Sequence, residues 1–348
     1  MSTNGRTTRT YRLARGRVSG RLDVRTGVVS LVLAALALVA GLVALGVGDF
    51  QVSVPDVLRA LFGETTETVR MVVVDWRLPR VLLALLLGGA LGASGAIFQS
   101  LTRNPLGSPD IIGFTTGAYT GALVVMLLVG GSYYTVAGGA MIGGLVTAGL
   151  VYLLAYSGGV QGFRLIIVGI AISAMLGSVN TWMILKADLE LAMQAAVWGA
   201  GSLNGLSWEQ VGPVAILLTL LTPVLWVLGR RMAVLEMGDD AAQALGVRTE
   251  PTRLALLVVG VALTALVTAA AGPIAFISLA APQLARRLTR SPSVTLLPSA
   301  LLGAALLLVS DLVAQRAFAP TQLPVGVVTV SIGGCYLVWL LAREARRQ

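Results

Sequence analysis

Long apolar runs separated by polar connections fill the chain from residue 28 onward. A helix needs about 20 apolar residues to cross about 30 Å of hydrocarbon, and ten runs approach that length. They are 28–48, 80–100, 111–130, 134–156, 165–186, 209–229, 254–271, 273–289, 296–317 and 325–342. The pattern predicts an all-α integral membrane protein with about ten transmembrane helices, forming one transmembrane domain over residues 28–343.

The segment before the first run has a different character. Residues 1–27 are rich in arginine, threonine and glycine, which predicts a disordered cytoplasmic N-terminal tail. The run 28–48 could be a signal peptide, but it is long for one and no A-x-A-like cleavage site follows. An uncleaved first span is therefore favoured.

The distribution of basic residues predicts the orientation of the spans. Cytoplasmic connections of membrane proteins carry an excess of Lys and Arg. If the N-terminus is inside, most of the 25 basic residues lie on the cytoplasmic side. The outer side then holds Arg59, Arg70, Arg77, Arg80, Lys186 and Arg316. Both termini are predicted to be cytoplasmic, and the net charge of +9 needs no nucleic-acid partner.

The composition indicates that lipid surrounds most of the protein, and it excludes several classes of function. Hydrophobic residues make up 56% of the chain and charged residues 12%, whereas soluble domains are about 25% charged. Because there is no histidine and one cysteine, a Cys/His metal site and a histidine-based hydrolase are excluded. No P-loop motif is present. We expect no enzyme activity, cofactor or bound metal, and a driving force supplied by other proteins.

Two connections are long enough to have structure of their own. Residues 230–253, on the predicted inner side, include a short helix that begins near Asp239 and stops at Gly246. Residues 49–75, on the outer side, include a short amphipathic helix from Val54 to Phe62. Each is either a surface where a partner docks or a solvated connector.

Spans two to five and seven to ten form two four-helix blocks of opposite predicted orientation. Inverted repeats of this kind are frequent in transporters. The pattern therefore indicates an inverted repeat.

The connection from Arg103 to Gly113 cannot be helical, because Pro105 and Pro109 each lack an N–H group and disfavour helix in the residue before them. With Asn104, these prolines predict a re-entrant turn, and a plain cytoplasmic loop is the alternative. One carboxylate, Asp311, lies well inside a predicted span. It either forms a structural ion pair with Arg316 or belongs to a functional surface.

Several segments together carry a family resemblance. They are Arg77-Leu78-Pro79-Arg80, Gly95-Ala96-Ile97-Phe98-Gln99, Arg103-Asn104-Pro105-Leu106-Gly107-Ser108-Pro109-Asp110-Ile111-Ile112-Gly113, Met237 to Val247, Gly272 to Pro282 with Arg286, and Leu323-Pro324-Val325-Gly326-Val327. In this order and spacing they resemble the FecCD-type permease family of iron(III)-siderophore and cobalamin ABC importers. The resemblance covers about residues 28–343.

The resemblance implies an architecture and a set of partners. The architecture is that of a type II ABC importer permease. Such permeases dimerise, bind two ABC ATPase subunits inside the cell, and receive cargo from an extracytoplasmic siderophore-binding protein. We expect the second permease subunit to be a paralogue, giving a heterodimer in the cytoplasmic (inner) membrane of a bacterium.

The resemblance also implies roles for particular residues. By resemblance, Arg77, Arg80 and Arg316 dock the binding protein. For Arg77 and Arg80 the alternative is that their side chains snorkel to the membrane interface. ATPase coupling falls to Gly238, Asp239, Ala241, Ala242, Leu245 and Gly246. The translocation path is lined by Asn180, Thr181 and Ser331, which could equally be contacts between helices.

The absence of histidine from the chain limits which cargo the permease could carry. Gln283 stands where many members of the family have histidine, and glutamine there resembles the ferric-siderophore branch. A bare Zn²⁺ or Mn²⁺ ion would need nitrogen or clustered carboxylate ligands, whereas iron carried as a chelate needs none from the protein. An iron(III)-siderophore is therefore expected. Cobalamin or haem remains open as cargo, and an ion-coupled secondary carrier is the alternative from another class.

Overall fold

The structure, a computed structural model, describes residues 8–13, 18–130, 132–156 and 162–345. After an N-terminal hairpin the described chain is helical. The strands are β1 (Thr8–Leu13) and β2 (Val18–Asp23), and the helices are α1 (Val24–Gly46), α2 (Val54–Leu61), α3 (Glu67–Arg70), α4 (Leu78–Thr102), α5 (Phe114–Val124), α6 (Tyr133–Ala155), α7 (Gly162–Lys186), α8 (Leu189–Gly199), α9 (Trp208–Leu235), α10 (Asp239–Ala244), α11 (Thr249–Ala271), α12 (Ile277–Thr289), α13 (Leu296–Arg316) and α14 (Val325–Ala345). Two π-helical segments, Met71–Arg77 and Val125–Val129, precede α4 and continue α5.

The hairpin differs from the disordered tail that the sequence predicts. Strands β1 and β2 pair antiparallel, with Thr8 opposite Asp23. A two-stranded hairpin is marginally stable by itself, so composition gives little sign of it. Asp23 also starts α1, since its carboxylate accepts a hydrogen bond from the Arg25 N–H at 3.1 Å. Residues 1–7 and 14–17 of the predicted tail lie outside the described residues.

The prediction of an all-helical membrane protein is confirmed. Within the described ranges, seven helices are long and apolar enough to cross a membrane. They are Val24–Gly46, Glu67–Thr102, Tyr133–Ala155, Gly162–Lys186, Trp208–Leu235, Thr249–Ala271 and Leu296–Arg316. Each coincides with a predicted span. The third and tenth predicted spans correspond to shorter apolar helices, Phe114–Val129 and Val325–Tyr336.

The eighth predicted span is the one that the structure shortens most. Helix α12 begins at Ile277, because the preceding segment turns sharply. Gly272 has a φ of +74° and Phe276 a φ of +69°, both in the left-handed region. Pro273 between them has no N–H to donate to a helix. The outcome is a helix of 13 residues, about 20 Å long at 1.5 Å per residue.

Helices α4 and α11 form the centre of the bundle. In each, 78% of the most apolar stretch is buried inside the protein, against 17% for α9 and 22% for α7. Small residues permit close approach to neighbouring helices: a side chain at Gly92 on α4 would collide with the backbone of Ser299 on α13. The exposed apolar sides of α7 and α9 are left for lipid or a partner subunit.

The contacts between helices repeat when the segment α4–α7 is compared with the segment α11–α14. Helix α4 of the first segment packs on α13 of the second, and α11 of the second packs on α6 of the first. Within the first segment α5 packs on α6, and within the second α12 packs on α13. The short helices α5 and α12 both follow a residue in the left-handed conformation, Gly113 and Phe276 respectively.

Candidate functional site

A buried ion pair connects distant parts of the chain at the end of the bundle that the charge distribution predicts to be outer. Arg80, in the first turn of α4, donates two hydrogen bonds of 2.8 Å to the carboxylate of Asp311 on α13. The side chain of Asp311 is 3% exposed and that of Arg80 is 15% exposed. This two-bond geometry is the strong form of an arginine–carboxylate contact.

Three amides complete the surroundings of this ion pair. Arg80 also donates to Asn204 Oδ1 at 2.6 Å and to Gln322 Oε1 at 3.1 Å. Gln315 donates to Asp311 Oδ2 at 2.8 Å. Arg80 therefore joins α4 to α13 and to the connections that precede α9 and α14.

The partner of Asp311 corrects one sequence-based expectation. Asp311 was expected to pair with Arg316 if it formed a structural ion pair, but the observed partner is Arg80. Residues five apart on a helix do not share a face, since neighbours are three or four apart. Arg316 instead lies 3.2 Å from Asp49, which follows α1.

Arg77 is engaged by backbone at the end of α1. Its guanidinium donates to the carbonyl oxygens of Leu45 at 2.8 Å, Gly46 at 3.2 Å and Phe50 at 2.6 Å. Unsatisfied carbonyls at a helix C-terminus attract a positive charge. Gly48 leaves room for this contact, because a side chain there would overlap the guanidinium.

The three arginines predicted to dock a binding protein therefore lie together around one outer cavity. Its volume is about 290 Å³, and its lining includes Arg77, Arg80 and Arg316, with Asp49 and Trp76 beside them. Trp76 is 62% exposed. Because Asp311 already neutralises Arg80, the excess positive charge of the cavity comes from Arg77 and Arg316 against the one carboxylate of Asp49, and an acidic group from outside would find a favourable potential there.

On the face predicted to be inner, the expected short helix is present as α10. Gly238, with a φ of +111°, precedes it, and Gly246, with a φ of +78°, follows it. Asp239 and Asp240 occupy its first turn, where carboxylates favour the helix dipole. Ala242 is fully buried, while Leu245 is 62% exposed. The helix thus has one anchored side and one free side.

Asp239 anchors α10 to two other helices. Its Oδ1 accepts from Arg253 on α11 at 2.6 Å and from Arg103, which ends α4, at 3.0 Å. Arg103 also donates to the Leu235 carbonyl at the end of α9. Among the predicted coupling residues, Asp239 is the one that connects α10 to the centre of the bundle.

The connection after α4 folds into a compact turn. Asn104 Oδ1 accepts from the Leu106 N–H at 2.9 Å, and the Pro109 carbonyl accepts from the Phe114 N–H at 3.0 Å. Asp110 accepts from Thr115 and from Ser278 on α12, at 2.8 and 2.7 Å. These bonds tie the turn to the beginnings of α5 and α12.

The predicted path residues lie on two different helices, α7 and α14. Asn180 on α7 is buried, and its Oδ1 has no hydrogen-bond partner among the described residues. Thr181 and Ser331 are exposed and donate to carbonyls of their own helices, Gly177 and Val327. In the part of the chain that the structure describes, α7 packs on α5 and α6, whereas α14 packs on α12 and α13.

Sequence reasoning missed the partners of the charged residues. Asn204, Gln315 and Gln322 contact the Arg80–Asp311 pair, and Asp49 contacts Arg316. Arg80 and Asp311 are 231 residues apart. No local spacing signals a contact over that distance. The proximity of Asp311 to the outer end of its helix was the one available hint.

Its long apolar helices, packed closely through glycines, make this chain a multi-pass membrane protein. The chain belongs to the FecCD transport family, whose sequence profile matches residues 36–343. It is therefore the permease subunit of a bacterial ABC importer, and importers of this kind work with ATPase and binding-protein partners.

Individual relatives agree with this assignment. The chain is 53% identical over 321 residues to the ferric enterobactin transport system permease protein FepG of Escherichia coli, covering 92% of this chain and 97% of the relative. It is 38% identical to the achromobactin transport system permease protein CbrC of Dickeya dadantii, covering 94% and 95%.

A solved structure shares the fold. It is described as an inward-facing conformation of a metal-chelate type ABC transporter. The two chains superpose with a TM-score of 0.81 at 28% identity, over 91% of this chain and 99% of the other.

Proposed function

We propose that this chain moves an iron(III)-siderophore across the cytoplasmic membrane as the permease subunit of an ABC importer. The observation that carries the proposal is the 53% identity to a ferric enterobactin permease over 92% of the chain. The chemistry is consistent, because a chelated iron needs no metal ligand from the path and the chain has no histidine.

The proposed architecture has ten spans, both termini in the cytoplasm and two inverted four-helix blocks, α4–α7 and α11–α14. The reciprocal packing of α4 on α13 and of α11 on α6 supports this symmetry. The left-handed residues before α5 and α12 support it independently. In this arrangement α5, α12 and α14 cross as the shorter spans.

The residues Asn104, Pro105 and Pro109 form the proposed re-entrant turn. Gly95 on α4 packs against the backbone of Ser278, which also donates to Asp110. Gly95 lies about 10 Å along the helix from its end at Thr102. The chain therefore turns back toward the membrane interior before α5 begins.

On the inner face, α10 is the proposed contact with one of two ATPase subunits. The exposed Leu245 and the carboxylate of Asp240 face outward from the bundle. The set Gly238, Asp239, Ala241, Ala242, Leu245 and Gly246 would transmit closure of the ATPase to the spans. The anchoring of Asp239 by Arg103 and Arg253 gives that movement a route into α4 and α11.

On the outer face, the cavity with Arg77, Arg80 and Arg316 is the proposed docking site for a siderophore-binding protein. Exposed charge pairs contribute about 0–1 kcal/mol each, but they orient docking and raise association rates. The internal contacts of Arg77 and Arg80 indicate that these two shape the cavity, while Arg316 is the most available of the three.

The proposed path runs between this permease and a paralogous second subunit. Asn180, Thr181 and Ser331 would face it from α7 and α14. The exposure of Thr181 and Ser331 supports this placement. Asn180 is buried in the described chain, so its unpartnered Oδ1 points to a polar contact inside the bundle, because an unmatched buried acceptor is costly.

The test of cargo is uptake by the assembled importer. The permease, its partner subunit and the ATPases are reconstituted in vesicles with ATP inside and the loaded binding protein outside. We expect accumulation of the radiolabelled ferric siderophore and no accumulation of cobalamin or haem. Transport of cobalamin or haem at an equal rate would contradict the assignment of cargo.

A further inference from the structure

We propose that Asp49 is an internal competitor for the docking arginine Arg316. In the undocked permease Asp49 holds Arg316, and an acidic side chain of the binding protein displaces it on docking. This inference rests on the proposed docking function of the outer cavity, and it assigns a role to a residue of this chain outside the predicted docking set.

The three arginines of the cavity are held by the protein to different degrees. Arg77 makes three bonds to carbonyl oxygens, and Arg80 makes a two-bond contact with the buried Asp311. Arg316 makes one bond, of 3.2 Å, to Asp49. With this one bond, Arg316 is the least firmly held of the three arginines and the one whose guanidinium can most readily change partner.

Asp49 is free to leave Arg316, because its carboxylate is in contact with water. Its side chain is 88% exposed, whereas that of Arg316 is 34% exposed. A carboxylate in water can leave its partner with little change in solvation. The carboxylate also lies near Arg77, so it neutralises part of the charge that an incoming acidic group would meet. It is therefore an exchangeable occupant of the cavity.

The turn that contains Asp49 is fixed beside the cavity by backbone contacts. The chain on both sides of it is fixed, because Arg77 binds the carbonyls of Gly46 and Phe50. The Val52 N–H also donates to the Gly46 carbonyl at 3.0 Å. This turn holds Asp49 at the mouth of the cavity. Arg77 thus acts as a positioning residue for the competitor as well as part of the cavity wall.

The test is a double-mutant cycle on docking. The complete importer is embedded in lipid nanodiscs, and the Kd and association rate of its loaded binding protein are measured at low and at physiological salt. The variants are Asp49→Asn, Arg316→Gln and the double substitution. Glu64→Gln is the matched control, since it removes an exposed outer carboxylate in the same connection that does not line the cavity. A thermal scan of each variant checks its folding.

We expect Asp49→Asn to lower Kd about two- to fivefold, the range set by exposed ion pairs, mostly through faster association at low salt. Arg316→Gln should raise Kd, and adding Asp49→Asn to it should lower Kd by less than in the native background, because the competition for Arg316 is then gone and only the effect of Asp49 on the charge near Arg77 remains. Glu64→Gln should match the native protein.

The outcomes separate this inference from the function on which it rests. If Arg316→Gln weakens docking but Asp49→Asn leaves Kd unchanged or raises it, the competitor role is overturned and the docking site stands. If Arg316→Gln leaves Kd unchanged, docking at this arginine fails and the competitor role fails with it. An equal gain in the Arg316→Gln background would also overturn the competition.

Discussion

At the scale of single residues, the buried pair of Arg80 and Asp311 is held by two hydrogen bonds of 2.8 Å, with Asp311 3% exposed. Removing one member of such a pair leaves an uncompensated buried charge, at a cost of about 3–5 kcal/mol. We expect Asp311→Asn to lower the Tm of the detergent-solubilised permease markedly. The matched control is Arg59→Gln, which breaks an exposed pair with Asp56 and should cost at most about 1 kcal/mol.

A double substitution gives the same prediction a second test. Replacing Arg80 by Met and Asp311 by Leu together removes both charges, so the loss of stability should be smaller than for either single change. Equal Tm values for the native protein and Asp311→Asn would show that the pair contributes nothing to stability.

The structure shows what the side chain of Gln283 contacts, and this suggests its role. Its amide donates to Gln99 Oε1 on α4 at 2.6 Å, and Gln99 in turn donates to the Leu279 carbonyl. A histidine keeps one N–H donor, so Gln283→His should transport at near the native rate. Gln283→Leu leaves Gln99 without this donor and should transport more slowly. Loss of transport in Gln283→His would contradict this interpretation.

The sequence identified the charged residues of the outer cavity but not their contacts. Arg77, Arg80 and Arg316 were predicted as exposed docking groups, and the structure gathers them around one cavity. Their internal partners lie on other helices and in the connections between them, up to 242 residues away for Arg80 and Gln322. Such pairs depend on how the helices pack, and no local pattern contains that information.

At the scale of elements, α10 carries the clearest prediction. Asp239 and Asp240 are adjacent carboxylates in its first turn, yet the described structure pairs Asp239 with two arginines and leaves Asp240 exposed. We expect Asp239→Asn to reduce the cargo transported per ATP hydrolysed several-fold, because α10 is then loosely joined to α4 and α11.

Asp240→Asn is the matched control, since it makes the same change of charge one residue away. It should retain the native ratio of transport to hydrolysis, measured in vesicles with the full complex. If both variants have the same ratio, the two arginine contacts of Asp239 do not carry the coupling.

Hydropathy predicted most helices well, because a long apolar run in lipid has few alternatives to a helix. The start of α12 was missed, since the left-handed conformation of Phe276 is imposed by packing and not by residue type. Its ring lies against Gly333 on α14, where a side chain would overlap it. The hairpin of β1 and β2 was missed because two short polar strands give a weak pattern.

At the scale of the whole molecule, the charged surfaces to which we assign roles lie at the two ends of the described bundle. The face predicted to be outer carries the arginine cavity, and the face predicted to be inner carries α10. The central helices α4 and α11 are joined by small and hydroxyl-bearing residues, such as Ser94 donating to the Gly260 carbonyl at 2.8 Å. This division fits a permease that receives cargo outside and is driven from inside.

The membership of the FecCD family was predictable because its motifs are local and ordered along the chain, and the family profile confirms it. The count of ten spans and the pairing with a paralogue stay predictions. Seven helices of the described residues meet the length and hydropathy expected of a span, and the second subunit has no signal in one chain.

The central claim is that this permease draws its driving force from separate ATPases. The most direct measurement is uptake of ferric siderophore into sealed vesicles, comparing the full importer with the purified permease alone, each with ATP or with an imposed ion gradient. We predict accumulation by the full importer with ATP and none by the permease alone. Concentration of cargo by the permease alone, powered by an ion gradient, would contradict the account.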